Sequence, residues 1–133
     1  MQEIESDFWF IALPQQWHSE LDEDSILIFD EDELGCICLS NLQSETGRVE
    51  QADLESLIAE LGHQLSDGKR CEIGEAWQGW EFDGEEGGDY VREWYLLAED
   101  HLLLVTYSCA VEDRDMDRSA VDEILDSLRT KPA

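Results

Sequence analysis

The longest apolar stretches of this chain lie close together, at Trp94–Leu97 and Leu102–Cys109. Four residues, Ala98 to His101, separate them, and their number and polarity suit a hairpin loop. Leu102–Val105 is apolar without alternation, which predicts a strand with both faces covered, as at the centre of a sheet. We therefore expect the rest of the chain to fold around this hairpin.

Further strands are predicted where short runs of aromatic and branched residues end at turn residues. They are Phe8–Leu13, stopped by Pro14; the hairpin formed by Ser25–Phe29 and Cys36–Leu39; Cys71–Trp77 with Trp80–Phe82, taken as one strand with a break near Gln78-Gly79; and Tyr90–Leu97. Gln15 to Asp24 is predicted to be a polar connection, and Asp83–Asp89 a flexible loop.

Two segments show the period of a helix instead. The first has apolar residues at Leu54, Leu57, Ile58, Leu61 and Leu65. It predicts a helix from Glu50 to Leu65 that stops at Gly68. The second has apolar residues at Val121, Ile124, Leu125 and Leu128. It predicts a helix from about Asp113–Asp115 to Leu128, with an aspartate-rich first turn that suits the helix dipole.

These elements occur in the order β-β-β-α-β-β-β-α, and strands far outnumber crossover helices. That order predicts the α+β class, with a largely antiparallel sheet of about six strands packed against two helices. A chain of 133 residues is expected to form a single domain over residues 1–133.

Charge is the most unusual property of the sequence. It has 34 acidic and 8 basic residues, a net charge of −26 and a pI near 4.1. This charge argues against direct binding to nucleic acid or to a membrane surface, because both require lysine and arginine. A basic protein partner fits better. Solubility, or adaptation to high internal salt, also explains the acidic excess.

The first residues predict a compartment. Met1 to Trp17 is acidic where a secretory signal is basic, and the apolar run Phe8–Leu13 is too short for a signal core or a membrane span. We therefore expect a cytoplasmic protein with reduced cysteines. Each of the four cysteines (Cys36, Cys38, Cys71 and Cys109) lies in an apolar run. Acidic surroundings are expected to raise the pKa of these thiols and make them unreactive.

Three short motifs resemble metal sites without completing one. Asp30-x-Asp32 begins like an EF-hand loop, but Asn41 occupies the position of the bidentate glutamate. Cys36-Ile37-Cys38 has no second pair to complete a zinc site. Glu60-x-x-His63 occurs once, whereas a carboxylate-bridged di-metal bundle needs two copies. The sequence therefore predicts no metal, no cofactor and no catalytic residue.

The order of elements resembles the PsbP-like superfamily of small domains, which includes DcrB-type proteins, EagR-type secretion chaperones and the Ran-binding Mog family. The residues that carry the resemblance are Phe10-Ile11-Ala12-Leu13-Pro14-Gln15-Gln16-Trp17, the hairpin over Ile26–Leu39, the mid-chain helix, the hairpin over Trp94–Cys109, and the closing Ile124-Leu125-Asp126-Ser127-Leu128-Arg129. The resemblance implies an antiparallel sheet between helices, no cofactor, and a role in binding proteins or secretion clients. The absence of a lipoprotein-type N-terminus argues against a periplasmic DcrB-like role.

Tryptophan supplies the remaining candidate site. If Trp80 and Phe82 face the core, Trp77 faces the other way by the two-residue period of a strand, and Trp17 lies in the predicted connection. An exposed indole with a charged rim is typical of an interface hot spot, whereas a covering helix would make Trp77 part of the core. The predicted partner-binding residues are Trp17, Trp77, Glu72, Glu75, Glu81, Asp30 and Asp32.

The sequence thus predicts a non-enzymatic, acidic adaptor or chaperone-like domain that recognises a basic or apolar protein segment. A homodimer is compatible with these features. An alternative from a different class is a DNA-mimic inhibitor, whose carboxylates would occupy a nucleic-acid-binding protein. A metal-assisted enzyme is the third hypothesis, for which the sequence assembles no ligand set.

Overall fold

The computed structural model describes residues 2–6, 9–22, 25–30, 35–42, 50–98, 101–116 and 118–130. The strands of this part of the chain are β1 Gln2–Glu5, β2 Trp9–Leu13, β3 Trp17–Asp22, β4 Ser25–Asp30, β5 Gly35–Leu42, β6 Lys69–Ile73, β7 Trp77–Glu86, β8 Asp89–Ala98, β9 His101–Ala110 and β10 Arg129–Thr130. The helices are α1 Gln51–Glu60 and α2 Arg118–Asp126, and short 3-10 turns lie at Leu65–Asp67 and Val111–Asp113.

Seven of these strands form one sheet in the order β3-β4-β5-β9-β8-β7-β6. Every neighbouring pair is antiparallel, and β9 is the central strand. The predicted central hairpin is confirmed, because β8 pairs with β9 from Asp89 opposite Ala110 to Ala98 opposite His101. The two residues of its turn, Glu99 and Asp100, lie outside the described part of the chain. The predicted hairpin of β4 and β5 is confirmed as well.

A second sheet of three strands has β2 between β1 and β10. Ile4 lies opposite Ile11, and Phe10 lies opposite Arg129. The class is α+β with two helices and antiparallel sheets, as predicted. The predicted number of about six strands is wrong, because ten strands in two sheets are described.

Both faces of the seven-stranded sheet are covered. Leu103 and Val105 belong to a large cluster with β2, β4, β5 and α2, whereas Leu102 belongs to a smaller cluster on the opposite face, with Leu54 and Ile58 of α1. The apolar residues at the start of β9 therefore pack into a cluster on each face of the sheet. This confirms the prediction that both faces of the strand are covered.

Helix α1 is shorter than predicted. It begins with the Glu50 amide donating to Asp53 Oδ2 at 2.8 Å, a capping arrangement of the kind that favours an acidic first turn. It ends at Glu60 instead of Leu65, because Gly62 adopts a φ of +91°, a conformation that glycine takes without a steric penalty. Leu61 is consequently exposed, and Leu65 lies in a separate 3-10 turn.

Helix α2 presents Val121, Ile124 and Leu125 to the large cluster. Leu128, the last apolar residue of the predicted stripe, follows the helix and is also buried. The predicted aspartate-rich first turn is wrong. The helix begins at Arg118, and Asp113 belongs to the preceding 3-10 turn.

The chain turns at other positions than predicted on either side of β7. The predicted break near Gln78-Gly79 does not exist, and the chain instead turns at residues 74–76 between β6 and β7, with Gly74 at a φ of +57° and Ala76 at +77°. The predicted loop Asp83–Asp89 is mostly strand. It reverses tightly at Gly87-Gly88, whose positive φ values of 60° and 90° suit a two-residue hairpin turn.

The strands that the apolar pattern missed lie at sheet edges. Trp17–Asp22, predicted as part of a polar connection, forms edge strand β3 against β4. Gln2–Glu5 and Arg129–Thr130 flank β2. These strands have no continuous row of buried side chains. Backbone hydrogen bonds to the neighbouring strand hold them in the sheet.

Candidate functional site

The two predicted tryptophan anchors are buried. Trp17 is 4% exposed and Trp77 is 1% exposed, and both belong to the large core cluster. Trp77 does face away from Phe82, which lies in the smaller cluster with Trp80 packed against it. The alternative of a covered ring therefore holds for Trp77, because the sheet is covered on both sides and the ring lies in the core that α2 and Leu128 complete. Neither tryptophan offers an exposed indole to a partner.

The predicted acidic residues that the structure describes are separated: Glu72, Glu75 and Glu81 lie near the β6 end of the seven-stranded sheet, and Asp30 lies near the β3 end. Glu72 is exposed on β6, and Glu75 is paired with Arg129 by an Oε2–Nε contact of 3.1 Å. Glu81 is half-buried and accepts a hydrogen bond of 3.1 Å from Arg92. Asp30 ends β4 opposite Trp17, and Asp32 lies outside the described residues. The structure therefore does not bring the predicted set together.

A different group of acidic side chains shares one concave site. It is a groove of about 420 Å³ between the end of α1 and the β7–β8 hairpin. Five acidic residues line it, Asp67, Asp83, Glu85, Glu86 and Glu93, together with His63, Phe82, Gly84 and Val91. By the two-residue period of β7, the side chain of Glu86 lies on the groove side with Phe82, whereas the side chains of Asp83 and Glu85 lie on the other side with Glu81. We call this site the acidic groove.

The end of α1 positions the histidine of the acidic groove. The Gly62 amide donates to the Ala59 carbonyl at 3.1 Å, and the His63 amide donates to the Ile58 carbonyl at 3.2 Å. These are the two bonds of a Schellman motif, in which a glycine of positive φ turns the chain sharply away from the helix. The turn places the His63 ring on the smaller core cluster.

His63 then packs on the sheet. Its ring stacks on Phe82 with centroids 4.5 Å apart and planes at 25°. His63 Nε2 lies 3.0 Å from Glu93 Oε2, and the Tyr95 hydroxyl donates to the same oxygen at 2.5 Å. One carboxylate oxygen thus holds both a histidine and a tyrosine, and fixes the inner wall of the acidic groove.

Electrostatically, the acidic groove favours a cation. Its acidic residues are partly or fully exposed. Among the described residues, Arg114 pairs with one of them, because its Nη1 lies 3.4 Å from Glu85 Oε1 in an exposed pair. An exposed pair of this kind is screened by water and salt, so it offsets little of the negative potential. Like charges around one concavity reinforce each other and attract a positive ligand.

The tyrosine of this wall makes stability depend on pH. Burial, and then the hydrogen bond and charge of Glu93, raise the pKa of Tyr95 above its usual value. Because the folded pKa exceeds the unfolded one, the stabilisation is present below the usual tyrosine pKa of about 10 and is lost as the pH rises above it.

Tyr95→Phe should remove this alkaline sensitivity. Above about pH 10, the free energy of unfolding of the wild type should fall by about 1.4 kcal/mol more per pH unit than that of the variant. Urea denaturation followed by tryptophan fluorescence between about pH 8 and 11 measures this difference. Parallel pH profiles of the two proteins would contradict the prediction.

The described cysteines and acidic residues were candidates for metal binding and for thiol reactivity. Within the described ranges, no group of three or more His, Cys, Asp or Glu side chains has a geometry that could hold a metal ion. Burial, with a smaller effect of Cys38, raises the pKa of Cys36. Burial, with a smaller effect of Glu81, raises the pKa of Cys71 to about 11. The predicted direction is confirmed for these two thiols, although burial is the larger cause.

The sequence analysis missed the acidic groove because its residues come from three separate segments. In the sequence, His63 stands out only as half of a metal motif, and Asp83–Asp89 is predicted to be a loop. The density of acidic residues in Asp83–Glu86 was the available signal, but only the pairing of β7 with β8 places it beside Glu93.

No family model and no curated protein sequence matches this chain. Several solved structures do match it. A protein from Bacteroides thetaiotaomicron VPI-5482 has a TM-score of 0.66 and 14% sequence identity, over 93% of this chain and 45% of that one. This chain therefore spans less than half the length of the Bacteroides protein.

LpqN of Mycobacterium tuberculosis, described as involved in cell envelope biogenesis, has a TM-score of 0.58 and 14% identity, over 93% of this chain and 83% of that one. Cyanobacterial PsbP (CyanoP) from Synechocystis sp. PCC 6803 has 14% identity over 98% of this chain and 92% of that one, at a TM-score of 0.44.

These similarities show a shared fold with the Bacteroides protein and with LpqN. A PsbP protein is among the structures found, but a TM-score of 0.44 is too low for a conclusion about the fold. Membership of the PsbP-like superfamily, including its chaperone and Ran-binding branches, stays a prediction. In the described part of the chain, no helix is long and apolar enough to cross a membrane.

Proposed function

We propose that this chain is a non-enzymatic protein-binding domain that accepts a basic segment of another protein in the acidic groove. The observation that carries the proposal is a concavity of about 420 Å³ that five acidic residues line, with the side chains of Glu86 and Glu93 on the same side of the sheet as Phe82. The same concavity includes apolar surface from Phe82 and Val91. This combination suits a lysine or arginine side chain, which has an apolar stem and a charged head.

The charge of the whole chain supports the same partner class. A net charge of −26 attracts a basic segment over a distance of about a Debye length, and the acidic groove then gives it a defined position. LpqN, which shares the fold, is described as involved in cell envelope biogenesis, and that description is compatible with a binding role.

DNA mimicry is less well supported. It requires a row of free carboxylates on one face, and β7 offers Glu81, Asp83 and Glu85 at two-residue intervals on one side of the strand. All three are engaged within the chain, Glu81 with Arg92, Asp83 with the Tyr90 hydroxyl, and Glu85 with Arg114. The Tyr90 hydroxyl is neutral and the Glu85–Arg114 pair is exposed and screened, so the row is neutralised mainly at Glu81, whose partner Arg92 is buried.

Calorimetric titration with a hexa-arginine peptide tests the proposal. The double variant Asp67→Asn/Glu86→Gln removes two charges of the acidic groove from residues that are both exposed. It should weaken peptide binding about tenfold at about 0.15 M NaCl, as expected for two rim charges. Binding to the wild type should weaken as salt increases.

The matched control is Glu123→Gln/Asp126→Asn on α2. These two exposed residues lie on the other side of the sheet, and their substitution changes the net charge by the same amount. Peptide affinity should change by less than about twofold, since exposed charges this far from the groove are screened. Equal weakening in both double variants would mean that total charge governs binding, and would contradict a role of the acidic groove.

A further inference from the structure

Strand β6 is an outer edge of the seven-stranded sheet. It pairs with β7 on one side, and within the described ranges no strand pairs with its other side. Lys69, Arg70 and Glu72 are exposed, and Cys71 is half-buried. A concave space of about 350 Å³, lined by Arg70, Cys71 and Glu72, lies at this strand. Its backbone groups are therefore in a position to accept another strand.

The charges along β6 are self-complementary. When two identical strands pair antiparallel about a two-fold axis, one residue faces its own copy, and residues at equal distances on either side of it face each other. With Cys71 at the axis, Arg70 of each copy lies opposite Glu72 of the other. Opposite charges in directly facing positions stabilise a strand pair, and like charges destabilise it.

The same rule excludes the neighbouring registers. An axis at Arg70 places two guanidinium groups face to face, and an axis at Glu72 places two carboxylates face to face. Both registers carry a like-charge pair at their centre. Charge therefore selects the register centred on Cys71, in which two oppositely charged pairs form at once.

The electrostatics of the whole molecule also favour this edge. Two copies with a net charge of −26 repel each other, but β6 carries two basic residues and one acidic residue, so its local charge is positive. The edge at the other end of the sheet, β3, exposes Glu20 and has no lysine or arginine. Two copies therefore approach with least repulsion along β6.

We infer that a second copy of this chain binds along β6, centred on Cys71, so that one antiparallel sheet continues through both copies. This interface is separate from the acidic groove and does not depend on the proposed function. Salt distinguishes the two, because screening weakens binding of a basic ligand, whereas it weakens the mutual repulsion of two acidic copies and so strengthens their pairing.

Charge exchange across the axis tests the inference. Sedimentation equilibrium at about 1 M NaCl should show a dimer for the wild type. At about 0.15 M NaCl, where facing charges are less screened, Arg70→Glu and Glu72→Arg should each weaken the dimer about tenfold relative to the wild type, because each places like charges opposite each other at two positions. The double variant Arg70→Glu/Glu72→Arg should restore it, because both facing pairs become complementary again.

Glu72→Arg is the most informative single variant. It lowers the net negative charge of the chain, so general repulsion alone would make it dimerise more strongly than the wild type, whereas the β6 register predicts weaker dimerisation. Arg70→Glu also removes the contact of Arg70 over the Trp80 ring, at 5.4 Å. Thermal denaturation therefore checks that each variant is folded, and the double variant, which lacks the same contact, controls for its loss.

Hydrogen exchange locates the interface. As protein concentration rises, amides of β6 should gain protection, and amides of β3 should not. A monomeric wild type at about 1 M NaCl, failure of the double variant to restore the dimer, or protection of β3 instead of β6 would overturn the inference.

Discussion

Gly79→Ala is expected to unfold the protein or to lower its free energy of unfolding by more than about 3 kcal/mol. A Cβ at this position would lie 1.8 Å from the Tyr95 carbonyl oxygen and 2.9 Å from its carbon. These are backbone atoms of the neighbouring strand, where Gly79 pairs opposite Leu96. Relief of the clash requires β7 and β8 to separate at that point, which breaks ladder hydrogen bonds in the middle of the sheet.

Gly84→Ala on the same strand is the matched control. A Cβ at Gly84 meets no atom within 4 Å, and its φ is not in the left-handed region. Its stability should stay within about 0.5 kcal/mol of the wild type, as for most exposed substitutions. Urea denaturation followed by tryptophan fluorescence compares the two variants. Equal stability of both variants would show that the β7–β8 pair accommodates a side chain at Gly79.

Arg92→Ala is expected to have the second largest effect, a loss of about 3 kcal/mol. Arg92 is 4% exposed, and its Nη2 donates to Glu81 at 3.1 Å and to Asp122 of α2 at 2.9 Å. Its guanidinium also lies 4.5 Å from the centre of the Trp94 ring. The side chain thus joins α2 to the sheet, and alanine leaves a cavity beside two unpaired carboxylates.

Arg92→Met should cost less, about 1 kcal/mol, because methionine keeps most of the buried volume. Within the described part of the chain, Nε and Nη1 of Arg92 are buried and have no hydrogen-bond partner, so the wild type already carries a desolvation cost that methionine removes. Glu81 and Asp122 are partly exposed, and their carboxylates can regain water.

Arg114→Ala provides the comparison for charge loss alone. Arg114 and Glu85 are both more than half exposed and lie 3.4 Å apart, so this substitution should change stability by less than about 0.5 kcal/mol. Chemical denaturation of the three arginine variants would contradict the role of Arg92 if Arg92→Ala and Arg114→Ala were equally stable.

The centre of the fold was predictable from the sequence because burial imposes a pattern there. Leu102–Val105 has no polar residue at alternate positions, and this composition is stable only in a strand covered on both faces. The hairpins on either side of β9 follow from turn residues between apolar runs. Strands held mainly by backbone pairing, such as Gln2–Glu5, leave no such pattern, because their side chains have little apolar surface to bury.

The break assigned to Gln78-Gly79 shows a second limit. Glycine within a strand marks either a bulge or a close approach of another backbone, and the sequence does not distinguish between them. Here the neighbouring backbone is that of Tyr95. The actual turn includes Ala76 at a φ of +77°, a conformation that is uncommon for alanine.

The candidate site was less predictable than the fold. The two-residue period correctly placed Trp77 and Phe82 on opposite faces, but a period does not show whether a face is covered. In this protein α2 and the three-stranded sheet cover one face, and α1 packs on the other. The tryptophans therefore build the core, and the acidic groove arises only where distant segments meet.

The pairing of β2 with β10 brings Phe10 beside Arg129, two positions separated by most of the chain. This contact closes a loop of nearly the whole chain. The conformational entropy lost in closing that loop must be overcome before the contact adds stability. The pairing of β2 with β10 is thus expected to form after the local pairing of β1 with β2. During synthesis Trp9–Leu13 can pair with β1 early, but it gains its second neighbour only after Thr130 has left the ribosome.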